Sequence, residues 1–218
     1  KVLTNHQVKP IKKFRRKVDY LRYERPLPGD RVQMATCKIA SGLYQYTSID
    51  DCTRYRVLRL YNRRTAANTL DFLDCVIEEM PFPIQRVQTD RGLEFFAEKV
   101  QKKMMEYGIK FRPNKPGSPH LNGKVERSQK TDKTEFYATV DITSENLQDQ
   151  LAEWQHYYNW LRPHSALKGK TPMERYFELS EETPFSDEVQ NQYNPSDERI
   201  QNANYKVDLE IAKLKRSL

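Results

Sequence analysis

Two carboxylates stand where they could share divalent metal ions. Asp90 closes an apolar run containing Ile84 and Val87, inside Gln88-Thr-Asp-Arg-Gly-Leu-Glu-Phe95. Glu126 opens a helix-like segment behind Pro116-Gly-Ser-Pro-His-Leu-Asn-Gly-Lys-Val-Glu-Arg127, and 35 residues separate the two acids. Hard carboxylate oxygens suit Mg2+ or Mn2+. Two such ions about 3.5–4 Å apart activate the attacking oxygen and stabilise the leaving one in an in-line displacement at phosphorus. The pair therefore points to a metal-dependent nuclease or strand-transferase core, and it lacks a third ligand.

Cationic residues surround both acids. Lys130 and Lys133 follow Glu126 at i+4 and i+7, so they share its face of a helix and would meet a DNA end. The rival reading is an ordinary solvated helix face. Arg91, Arg112, Lys115, His120, Lys124 and Arg127 flank the pair, and Lys12, Lys13, Arg15, Arg16 and Lys17 form the densest basic run. A net charge of +7 and a pI of about 9.2 favour a polyanionic partner, mainly nucleic acid. No apolar run approaches the length of a membrane span, and no membrane partner is expected. Cys37, Cys52 and Cys75 are scattered without a Cys-x-x-Cys pair, and the four His show no ligand spacing. That pattern argues against a disulfide framework or a zinc site and for a reducing, cytoplasmic setting.

The elements that must deliver these groups can be placed from periodicity. Arg31–Ala40, Leu43–Ile49 and Tyr55–Tyr61 read as strands, the first two joined at Ser41-Gly42 by a hairpin turn. Such a turn would set residue 33 opposite 50 and 35 opposite 48. Thr65–Met80 reads as a helix capped by Thr65 and stopped by Pro81-Phe82-Pro83. Ile84–Thr89 is a short buried strand that ends at Asp90. Helices are expected over Leu93–Tyr107, Gly123–Tyr137 and Glu145–Leu161, the last capped by Thr143-Ser144, with a short edge strand at Ile109–Phe111. Trp154, Tyr158 and Trp160 are expected to pack the last of these helices. This order implies an α/β fold, a mixed five-stranded sheet with helices on both faces. Residues 1–28 form a basic arm, 29–178 the core, and 179–218 a polar extension. In its last part Val207, Ile211, Leu214 and Leu218 suggest a helix, either docked on its own core or joining a second protomer.

The chain resembles bacterial insertion-sequence transposases of the Asp–Asp–Glu type, with a retroviral-integrase-like (rve) catalytic core. The resemblance rests on the two acid motifs, on Tyr158-Asn159-x-x-Arg162-Pro163-His164-x-x-Leu167, and on Thr171-Pro172-Met173-Glu174, in that order across roughly 28–178. It implies a ribonuclease H-like fold, two Mg2+ or Mn2+ ions, DNA end cleavage and strand transfer, and a homo-oligomer, dimer or higher, on the double-stranded DNA of transposon ends and target. It also implies a bacterial, nucleoid-associated protein, with helix-turn-helix modules upstream of Lys1. The family's first acid sits in the opening strand, in a pattern like Val-Gln-Met-Asp-Thr. Here that pattern reads Val32-Gln33-Met34-Ala35-Thr36, so the residue expected to bridge both ions is Ala35. An engineered Asp→Ala change and a naturally inactive descendant both fit. The intact remainder of the site favours the first. Either way this chain is expected to be catalytically dead. Asp50 is expected on the face of Ala35, one diagonal step away, either as a supporting acid or as a cap of the strand end together with Asp51. Two rivals remain: a ribonuclease H-type hydrolase using Asp50, and a non-catalytic DNA-binding or assembly protein.

Overall fold

A computed structural model describes residues 24–115 and 119–204. The basic run Lys12–Lys17, Pro116–Ser118, the side chain of His120 and the apolar repeat from Val207 to Leu218 lie outside the described residues. Five strands form one sheet: β1 (Val32–Ala40), β2 (Leu43–Asp50), β3 (Arg56–Tyr61), β4 (Arg86–Thr89) and β5 (Lys110–Phe111). Their spatial order is β3-β2-β1-β4-β5. The first three are antiparallel, and β4 joins β1 and β5 in parallel.

The hairpin turns at Ser41-Gly42 as its residues require, with Gly42 at φ +69°. Ala40 lies opposite Leu43, but Lys38 lies opposite Tyr44, so β1 carries one extra residue. That bulge shifts the register by one and exchanges the faces. Gln33 is opposite Ile49 and Ala35 opposite Thr47, against the expected partners 50 and 48. Asp50 therefore faces with Val32, away from Ala35.

Alternation along β1 then serves two layers. Val32 and Met34 pack in the main core with Tyr46, Phe72, Val76 and Phe95. This face is covered by α1 (Ala66–Glu79), α2 (Leu93–Phe96) and α3 (Glu98–Glu106). Thr65 caps α1 as expected, its side chain accepting from the Asn68 amide. The single helix expected over Leu93–Tyr107 is broken at Ala97, whose ψ of 129° is extended. On the opposite face α4 (Gly123–Thr131) crosses β1 and β2, and α5 (Leu147–Trp160) covers β3. The expected helix Gly123–Tyr137 continues past α4 as a π turn over Asp132–Phe136. Asn146, without a side-chain cap, precedes α5 in place of the expected Thr143-Ser144. Thr143 instead donates to Asp141. Trp160 does not pack the core as expected: it is 44% exposed, against His156 and Phe177.

A buried polar knot locks these layers. Arg56 and Asp132, both fully buried, pair at 2.6 Å. Asp132 also accepts from Trp154 Nε1 and from Gln45 Nε2. Strand β3 is a sheet edge, and α5 satisfies its amides: Gln148, Gln155 and Asn159 accept from Leu60, Leu58 and Arg56. At the other edge Gln201 donates to the Phe111 carbonyl, and Glu198 pairs with Arg112. Two more helices, α6 (Pro172–Glu178) and α7 (Ser186–Asn191), follow among the described residues. A capping box between Thr171 and Glu174 starts α6. Among the described residues no helix is long and apolar enough to cross a membrane.

Candidate active site

Three elements converge at one end of β1 and β4. The last registered pair between these parallel strands is Met34 opposite Thr89. One step further come Ala35 and Asp90, on neighbouring strands about 4.8 Å apart. Ala35 lies on the face covered by α4, where its methyl group packs against Ile49 and Val125. Glu126 follows Val125 directly and is exposed. The glutamines preceding the two sheet positions fix the start of this helix. Gln33 accepts from the Val125 amide, and Gln88 donates to the Leu121 carbonyl and to Asn114. Ala35, Asp90 and Glu126 are thus brought to one place by hydrogen-bonded supports on each side.

Asp90 accepts from the Gly92 amide at 3.0 Å. Burial pushes its carboxyl above the ordinary range; Glu94 and Glu126 add to this, while the Gly92 amide and Arg64 oppose it. Glu94 was not singled out by the sequence, although it lies in the motif of Asp90. It is buried, its carboxylate accepts from the Thr36 hydroxyl at 2.8 Å, and it folds over Gly92. A Cβ at position 92 would stand 2.8 Å from Glu94 Oε2, so a larger residue there would displace this carboxylate. Glu94 approaches from the core face through Thr36, and Glu126 from the face of α4.

The cations sort into two groups. Lys130 and Lys133 are exposed on α4 and its π extension, Arg127 is exposed beside them, and Lys115 is exposed on the loop before α4. Burial pushes the Cys37 thiol up to about 11, opposed by Lys133. By contrast, Lys124 bonds both the carboxylate and the carbonyl of Asp51. Arg91 donates to the carbonyls of Asn202 and Ala203. Arg162 forms a two-pronged pair with Glu135, and His164 is buried against the Tyr158 carbonyl, so both tie the segment after α5 to the core. Asp50 is no part of the site: it is fully buried and accepts from Gly29, Cys52 and Thr53, shaping the turn after β2.

Among the described residues no group of three or more His, Cys, Asp or Glu side chains could hold a metal ion. The donor chemistry explains this. Asp90 and Glu126 supply hard oxygens, but position 35 presents a methyl group already filled in by Ile49 and Val125. The residues present do not fit a two-ion site.

This fold has counterparts among solved structures. The catalytic core domain of BIV integrase matches with a TM-score of 0.58 at 19% identity, covering 71% of this chain and 97% of that one. The fold is that of an integrase catalytic core. The HTLV-2 integrase core, solved in complex with magnesium, matches with a TM-score of 0.57 at 18% identity over 69% of this chain and 98% of that one. Two family profiles, each described as Integrase core domain, match residues 25–119 and 107–172. The protein named "Putative integrase ORF3" of Spiroplasma virus SpV1-C74 is 27% identical over 146 residues, which is 59% of this chain and 40% of that protein. The integrase-like core thus spans well under half the length of that relative.

Proposed function

We propose that this chain is the catalytic core of a bacterial DNA transposase that cuts element ends and joins them to target DNA, with its first acid replaced by Ala35. Similarity to integrase cores supports the broader class, a polynucleotidyl transferase acting on DNA. The observation that carries the narrower reading is the position of Ala35: one step past the last β1–β4 pair, beside Asp90 and beneath the first turn of α4. An aspartate there would complete a cluster of three carboxylates from three elements. The chain as it stands keeps its cationic surface and lacks the chemistry. A bacterial cytoplasmic setting and assembly as a dimer or larger on DNA belong to the same proposal.

The same alanine also favours a second reading, a DNA-binding subunit with no chemistry of its own. A strand-transfer assay on labelled duplexes separates the two. With Mg2+ or Mn2+ the Ala35→Asp variant is expected to produce joined product, and the unmodified chain none. Joining by the unmodified chain contradicts the proposal. A folded but silent Ala35→Asp variant, tested in the full-length protein, leaves the DNA-binding reading.

A further inference from the structure

A cavity of about 530 Å3 opens beside α4, between its first turns and the segment after α5. Glu126 and Lys130 project along one line of the helix, whereas Lys124, Arg127 and Thr131 project along the adjoining flank and line the cavity. Arg54, Arg162 and one acid, Glu135, close it from the other elements. Most of these cations have acidic neighbours. Glu24 pairs with Arg54, Asp51 with Lys124, and Glu135 with Arg162. Arg127 is exposed and pairs with no acid among the described residues.

The wall behind carries hydroxyls over a buried ion pair of Arg56 with Asp132. Ser128 and Tyr158 form part of this wall, and Arg56 lies immediately beneath. Its guanidinium donates to Ser128 Oγ at 3.0 Å and lies 3.3 Å from the centre of the Tyr158 ring. Arg56 is fully buried, and among the described residues its Nε and Nη2 have no hydrogen-bond partner. His164, also in the wall, has its imidazole pushed down to about 4 by burial, with Arg162, Arg56 and Arg54 contributing. Guanidiniums from three elements thus converge on one concave surface with hydroxyl donors between them. Planar guanidinium forks match phosphate oxygens.

We propose that this cavity is a second seat for DNA, holding a backbone phosphodiester of the strand whose end lies at Asp90 and Glu126. The proposal rests on the DNA-processing reading above and adds a contact away from the acids. A helix is about 10 Å across, and a strand advances about 3.4 Å per nucleotide. On an adjoining flank of that helix, the seated phosphate therefore lies within about three nucleotides of the reacting one. Arg127 supplies the unpaired charge, while the paired cations hold the wall in shape.

The test is fluorescence anisotropy of a labelled duplex across a salt series, with unfolding curves as a check on folding. Ala166 is an exposed wall residue with no side-chain polar contact to lose. Ala166→Asp introduces a negative charge, and Ala166→Asn is its neutral control of the same shape. Ala166→Asp and Arg127→Ala are expected to weaken binding at low salt, Arg127→Ala lowering the slope of log affinity against log salt by about one. Ala166→Asn should behave as the parent. Equal affinities for the two Ala166 variants overturn the seat, as does an unchanged Arg127→Ala. If Lys130→Ala still weakens binding in that case, the DNA reading survives and the seat alone fails. A parent chain that binds no duplex at low salt defeats both. Calorimetric titration with a mononucleotide gives the remaining arm. Saturable binding lost in Ala166→Asp, with duplex affinity unchanged, assigns the cavity to a free nucleotide and overturns the strand assignment.

Discussion

Ala35 and Asp50 show how far a single side chain's role depends on its face of the sheet. Ala35 sits where three elements meet, and its methyl group is covered by Ile49 and Val125. Asp50, which the unbulged hairpin would have set on the same face, is turned away by one extra residue in β1. Its carboxyl is pushed up to about 6, chiefly by burial, although three hydrogen bonds from Thr53 and Gly29 oppose the shift. His164 moves the other way, down to about 4, again through burial. The two groups set opposite pH dependences. A buried neutral histidine stabilises the fold above its unfolded value near 6.5 and loses that contribution as pH falls towards 4. A buried carboxyl with a raised value favours the fold at low pH and loses that contribution as pH rises from about 4 to 6. Across pH 4–6 the contributions offset, so the unmodified chain should show a shallow stability profile. Asp50→Asn removes one of them. Urea unfolding of that variant should then show stability falling steadily from pH 6.5 to 4, and a profile parallel to the parent's would contradict the assignment.

At the level of elements, the π turn after α4 does the most unexpected work. It places Asp132 beneath Gln45, Arg56 and Trp154, joining α4, the hairpin strands and α5 through one carboxylate. Removing one member of a buried ion pair leaves the other uncompensated, at a cost of about 3–5 kcal/mol. Asp132→Ala should therefore lower the unfolding free energy by about that amount in denaturant titration, and a loss below 1 kcal/mol would show that the knot is dispensable. This part was not legible in the sequence. Asp132 falls on a helical stretch rich in charge, where an acid ordinarily faces water, and nothing local marks a π turn. The motif Tyr158-Asn159-x-x-Arg162-Pro163-His164 was legible as a pattern but not as a purpose. Asn159 caps the edge of β3, Tyr158 stacks on Arg56, and Arg162 pairs with Glu135. What could be read were features with local causes: the alternating strands, the Thr65 cap, the two acids at a strand end and a helix start. The broken helix at Ala97 and the bulge in β1 were not, because tertiary packing decides both.

At the scale of the whole molecule, we propose that the end of β1, the end of β4 and the first turn of α4 form a single carboxylate site from which one member is missing. The sheet order and the parallel β1–β4 pairing bring those elements together, and Gln33 and Gln88 pin the start of α4 over them. Glu94 lies close by but enters through Thr36 from the core side. Titration of Mn2+ by isothermal calorimetry into this chain and into its Ala35→Asp variant reads that geometry directly, independent of any DNA substrate. Two bound ions are expected for Ala35→Asp and weak or single-ion binding for the unmodified chain, with Asp90→Asn abolishing the gain. Equal stoichiometry and affinity in both folded proteins would contradict it, since position 35 would then not be the missing ligand.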